Sequence, residues 1–187
     1  MVPITDLILP ILISGLFVFI ASSLIHMLLP YHKGDYRSLP DEAGAMDALR
    51  PFSIPPGCYS MPRPASMKDA NSPEYLEKLK KGPVMFLTVL KSGQISMAGS
   101  LIMWFVYSVL VSFFAAYVTG RALEAGAHYL AVFRFAGVTS FVAYAFASLP
   151  ESIWYSRPWS TTLKNAFDGL VYALITAGTF GWLWPSI

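Results

Sequence analysis

The stretch SMAGSLIMWFVYSVLVSFFAAYVTG, Ser96–Gly120, decides the class of fold. It runs for 25 residues without one charged side chain. A helix crosses the hydrocarbon core of a bilayer with about 20 mainly apolar residues. Three more stretches have the same character: 6–29, 127–149, which carries Arg134, and 163–184, with Lys164 and Asp168 near its start. Their apolarity is continuous and lacks the alternation over about ten residues that marks strands of a membrane barrel. The expected fold is therefore an all-α integral membrane protein with four transmembrane helices, at about 6–29, 97–119, 127–149 and 163–184.

Composition agrees. The chain has 187 residues, of which 55% are hydrophobic and only 13% charged, against about 25% charged in soluble domains. That argues against an ordinary soluble enzyme and against a disordered chain. The net charge of +2 is too mild for a nucleic-acid partner, which needs a clustered basic surface. The single cysteine, Cys58, excludes an internal disulfide and a cysteine-based zinc site. Leu7–Leu29 is too long for the apolar core of a leader peptide and no basic residue precedes it, so it reads as a retained anchor.

The charges are unevenly placed. The connection 30–96 holds 16 of the 24 charged side chains, nine of them basic, and nine of the fourteen prolines. Lys33, Arg37 and Lys91 lie close to membrane ends. By the positive-inside rule this loop is cytoplasmic and both termini are outside. The loop is too long for a simple connector and reads as a small α+β unit. One short helix is expected at 41–49, with Asp41 at its start and Pro51 as its stop. A second is expected at 73–81, with Ser72 as N-cap and Pro73 at the first helical position. VMFLTVL, 84–90, reads as a strand or a membrane-surface segment, and 57–61 as a candidate partner strand. The domain reading is thus 1–29, 30–96 and 97–187.

Two ladders of small residues stand out: Gly169, Ala173, Ala177 and Gly181 in the fourth span, and Ser108, Ser112, Ala116 and Gly120 in the second. Residues four apart share a helix face, and small ones allow close approach between helices in lipid. The matched ladders suggest that spans two and four pack together, or that one meets another chain.

Beside the fourth-span ladder runs a polar stripe, Asp168, Tyr172, Thr176 and Thr179. It reads either as a proton or cation path, or as local structure in which Asp168 pairs with Lys164 one turn earlier and sits in the favourable first turn of its helix. Arg134 lies about 10 Å inside span three by the helical rise. It either holds an anionic group, or pairs with Asp6 or Glu124, or snorkels outward. Trp154, Arg157 and Trp159, in ESIWYSRPWSTTLK, 151–164, could bind headgroups or dock a partner, or simply form an interfacial turn in which Ser160 or Thr161 caps the last helix. His26 and His128 fall at opposite ends of their spans and His32 reads as solvated or at the headgroups, so no metal ligation is expected. The chain has no Walker A loop, no GxSxG and no dense acidic cluster.

The layout, ending in SRPWSTTLKNAFDGLVYALITAGTFGWLWP, resembles that of small bacterial inner-membrane proteins with four spans. That resemblance implies a bacterial inner-membrane location and assigns no activity. The leading expectation is a non-catalytic subunit, assembly factor or scaffold of a larger membrane complex, without enzymatic activity or cofactor. Its partners are the bilayer and other membrane subunits or further copies of itself. A small oligomeric transporter or channel using Asp168, Tyr172 and Thr176 is the alternative, and a lipid-binding or lipid-active enzyme is the third reading.

Overall fold

The computed structural model describes residues 1–94 and 96–186. In chain order its elements are α1 (Ile8–Leu28), α2 (Glu42–Leu49), β1 (Gly57–Met61), α3 (Pro73–Lys81), β2 (Met85–Val89), α4 (Met97–Ala122), α5 (Tyr129–Ala145), α6 (Leu149–Tyr155) and α7 (Trp159–Trp182). The chain divides into a helical unit, Met1–Tyr36 with Ser96–Ile187, and an appended unit, Arg37–Ile95. The division after Tyr36 differs from the expected one after Leu29, and the difference matters because Tyr31, His32 and Asp35 belong to the helical unit.

Three helical runs among the described residues are long and apolar enough to cross a membrane: Ile4–Leu28, Met97–Ala122 and Tyr129–Tyr155. The fourth expected span falls on α7, whose 24 residues would cover about 36 Å. Its composition is less apolar because it buries Thr161, Thr162, Asp168, Tyr172, Thr176 and Thr179 within the fold. Its outer face is apolar all the same, with Leu163, Phe167, Leu170 and Leu174 exposed. The helix also starts at Trp159, not Leu163. Pro158 takes the cap position, its carbonyl accepting from the Thr161 and Thr162 amides at 3.0 and 3.3 Å. Ser160 and Thr161 therefore lie in the first turn and do not cap it.

The four long helices form a ring in which α1 packs on α4, α4 on α5, α5 on α7 and α7 on α1. Neighbours run antiparallel. At one end the Val2 amide reaches the Gly120 carbonyl at 2.8 Å, and the Trp184 indole reaches the Glu124 carbonyl at 2.9 Å. This ring corrects the expected pairing of the two ladders, because α4 and α7 lie on a diagonal. The α4 ladder faces α1: Ser112 Oγ donates to Ser14 Oγ at 3.1 Å, and a methyl group on Gly120 would lie 2.8 Å from the Val2 carbonyl oxygen. The α7 ladder faces α5: a methyl group on Gly169 would lie 2.9 Å from the Ala145 nitrogen, and one on Gly181 would run into the Tyr129 ring. Close backbone approach replaces side-chain interdigitation there, as expected where lipid gives no hydrophobic drive between helices.

The two halves of the ring are filled differently. The end holding Val2 and Trp184 is packed with Val2, Leu7, Ile11, Ala115, Ala116, Val132, Ala136 and Phe180. The other half contains Trp104, Tyr107, Tyr144 and Tyr172 around Val18, Ile25 and Val111.

In the appended unit, Asp41 caps α2 by accepting from the Gly44 amide at 2.9 Å, and Ser72 caps α3 by accepting from the Tyr75 amide at 3.2 Å. Gly82, at φ +62°, ends α3 in a conformation that favours glycine. β1 and β2 form an antiparallel pair running from Gly57 opposite Val89 to Met61 opposite Met85. None of the unit's described residues is fully buried.

Gly169→Leu should lower the thermal stability of the detergent-solubilised protein, since overpacking a filled contact costs about 1–3 kcal/mol. Leu174→Phe, on the exposed face of the same helix, should leave it unchanged. Unfolding followed by near-UV circular dichroism compares the two.

Candidate functional site

The site lies where the last turn of α1, the start of α4, the end of α5 and the third turn of α7 meet. Leu29 is extended and Pro30 opens a short 3-10 turn, Pro30–His32. A proline cannot continue the preceding helix, so the chain folds back and carries Tyr31, His32 and Asp35 onto α7.

There they build a connected network around Asp168, which is 2% exposed. His32 Nε2 lies 2.8 Å from Asp168 Oδ2, and the other ring nitrogen, Nδ1, lies 2.6 Å from Asp35 Oδ2. Tyr31 donates its phenol hydrogen to Asp168 Oδ1. Lys164 donates to Asp35 Oδ1 at 2.7 Å and to the Tyr31 carbonyl at 2.5 Å. Thr161 adds a hydroxyl donor 3.3 Å from Asp35 Oδ1. His26, from the last turn of α1, places Nε2 3.9 Å from Asp168 Oδ2, its ring 4.5 Å from that of His32. The three ligand-type atoms of His26, His32 and Asp168 all lie within 4.8 Å of one another.

Burial alone would raise the Asp35 carboxyl, but hydrogen bonds from Lys164 and His32 outweigh it and hold the group at about 2. Burial and the hydrogen bond to Asp168 push the Tyr31 phenol well above its ordinary range, so it stays a donor. Asp35 and Lys164 cancel.

Asp168 also lines a half-open cleft of about 380 Å³ whose walls include His26, Trp104, Tyr107, Tyr144, Asn165 and Tyr172. Three of the aromatic polar tips have protein partners. The Trp104 indole donates to Ser22 Oγ at 2.6 Å, and the Tyr107 and Tyr144 hydroxyls donate to the Ala143 and Ser108 carbonyls at 3.0 and 3.5 Å. The Tyr172 hydroxyl is buried without a partner.

Several expectations change. Lys164 does not pair with Asp168; it turns to Asp35. Because α7 begins at Trp159, Asp168 is its tenth residue, beyond the first-turn reach of the helix dipole. Thr176 and Thr179 donate to their own helix, at the Tyr172 and Ile175 carbonyls. Phe180 and its apolar neighbours pack the ring beyond them. Arg134 is exposed on α5 and joins neither Asp6 nor Glu124; no ion pair among the described residues includes it. Trp154 and Trp159 are exposed and Arg157 is half-buried, and none of the three lines the cleft. His128 accepts from the Leu130 amide at 3.2 Å as the N-cap of α5.

His32, expected in solvent, is instead enclosed between two carboxylates, and it converges with His26 on Asp168. The available signal was HMLLPYHKGD, 26–35: two histidines bracket a proline, an aspartate follows the second by three residues, and all lie at the same membrane end as Asp168. Comparison with family models, with curated proteins and with solved structures finds no match.

A double-mutant cycle tests the rewired pairs. Lys164→Ala and Asp35→Ala should couple by about 1 kcal/mol or more in thermal unfolding, as direct ion-pair partners do. Lys164→Ala and Asp168→Ala should show a clearly smaller coupling.

Proposed function

We propose that this chain is a four-span membrane protein that binds a cation at one membrane face, using the cleft beside Asp168. The carrying observation is the buried Asp168 carboxylate, on which two imidazoles converge beside a cleft walled by aromatic rings. An ionisable side chain inside a membrane bundle is costly, and such groups mark ligand or ion sites. Aromatic faces around it favour cations as well, through their ring quadrupoles. The apolar packing at the opposite end supports binding at one face and speaks against passage through a single bundle.

In this reading α7 crosses the membrane with the other three helices, its polar side chains turned inward and its leucines toward lipid. The basic residues of 30–96 support a cytoplasmic position for that loop in a bacterial inner membrane. A second role is compatible with binding: service as a non-catalytic subunit of a larger complex, favoured by the exposed Trp154 and Trp159 beside the cleft end of α7. These side chains also suit an interfacial aromatic belt.

Titration of the detergent-solubilised protein with choline and, separately, with zinc ion should give saturable binding of at least one. Isothermal calorimetry should show it weakened at least tenfold in Asp168→Asn. Saturable binding of neither, or equal affinity in the variant, overturns the reading. Topology has a simple probe in Cys58, the chain's only cysteine, which is exposed. A membrane-impermeant maleimide should leave it unlabelled in intact spheroplasts and label it in inverted vesicles.

A further inference from the structure

We infer that the cation is a divalent transition metal of the zinc class, held by His26 Nε2, His32 Nε2 and Asp168 Oδ2, with a coordination position left open toward the Tyr172 cleft. The inference rests on the cation-binding reading above and narrows it to a ligand set.

The donors suit such an ion. Two imidazoles and a carboxylate are the set that zinc takes in sites with three protein ligands and a solvent position. Imidazole nitrogen also selects zinc and its transition-metal neighbours over magnesium or calcium, which prefer oxygen. Tetrahedral coordination with bonds of about 2.0–2.1 Å puts donors about 3.3 Å apart. His32 Nε2 and Asp168 Oδ2 stand at 2.8 Å, and His26 Nε2 and Asp168 Oδ2 at 3.9 Å. These two spacings need adjustments of roughly half an ångström, and the His26–His32 pair, within 4.8 Å, closes as the ion is seated. His26, whose side chain is 49% exposed, is free to make its share of them.

The surroundings argue the same way. Ligating histidines almost always give their second ring nitrogen to a carboxylate or carbonyl, which fixes the tautomer and the ring plane. His32 Nδ1 does this with Asp35, which Lys164 and Thr161 hold in turn. Asp168 shows the equivalent division: Oδ1 accepts from Tyr31, which leaves Oδ2 facing the two imidazoles.

The independent pointer is Tyr172. Its side chain is 3% exposed, its hydroxyl has no partner, and it lines the same cleft as Asp168 and His26. A buried polar group without a hydrogen bond is uncommon and calls for an explanation. Solvent bound at the open coordination position would supply its partner.

The test uses the full chain in detergent, stripped with chelator and titrated with zinc ion in a calorimeter. One ion per chain is expected to bind. His26→Ala, His32→Ala and Asp168→Asn should each weaken binding at least tenfold, while His128→Ala, at the other end of α5, should not change it. His26→Cys supplies another zinc ligand at an exposed position and should recover most of the affinity lost in His26→Ala, which separates ligand loss from misfolding. Cobalt ion is the second probe: Tyr172→Phe should bind it but with a changed visible spectrum, as expected if the hydroxyl meets solvent on the metal. Failure of zinc to bind at one site per chain, or binding indifferent to His26→Ala and His32→Ala, overturns the inference. Asp168-dependent choline binding without zinc binding overturns it too, yet leaves the cation-binding reading standing.

Discussion

Burying one carboxylate organises this molecule. Insertion scales put an aspartate at the centre of a membrane helix at about 3 kcal/mol unfavourable. Asp168 is enclosed near one end of the bundle, where the chain leaving α1 can supply partners. Two bonds to Tyr31 and His32 meet its oxygens, and Asp35 and Lys164 hold His32 in turn. The turn at Pro30 is therefore part of the bundle's interior chemistry as much as the helices are. A change there would release Tyr31 and His32 together and leave a charged group inside with nothing to answer it.

The same constraint explains which parts of the fold were legible in the chain. α1, α4 and α5 announce themselves by continuous apolarity, because their outward faces are mostly apolar and their buried residues are themselves apolar or small. α7 announces itself less clearly, since hydropathy averages around the helix and cannot tell an inward aspartate from an outward one. The short helices and the strand pair of the appended unit follow from local signals, Asp41, Ser72, Pro73 and the apolar run 84–90, which act over a few residues.

The site was half legible. Asp168 and Tyr172 stood out as polar residues at helical spacing. Their partners did not, because which helices are neighbours is a property of the ring and not of any one segment. Lys164 lies one turn from Asp168 along the chain, yet it reaches Asp35, 129 residues away in sequence. The two small-residue ladders illustrate the same point. Each marks a close contact, but sequence spacing carries no information on whether the partner lies alongside or across the diagonal.

The ring order also has a consequence for how the chain is assembled. α1 and α4 are neighbours and run antiparallel, so a short turn could join them, yet the chain inserts Arg37–Ile95 between them. The entropy of closing a loop grows only with the logarithm of its length, about 0.6 kcal/mol for each doubling. The insertion therefore weighs little on the bundle, and the bundle in turn asks nothing of what fills the gap beyond Tyr36. Such a junction is one where sequence can be exchanged, lengthened or lost during evolution while the helices keep their register. The seven residues before it, Pro30–Tyr36, have no such freedom.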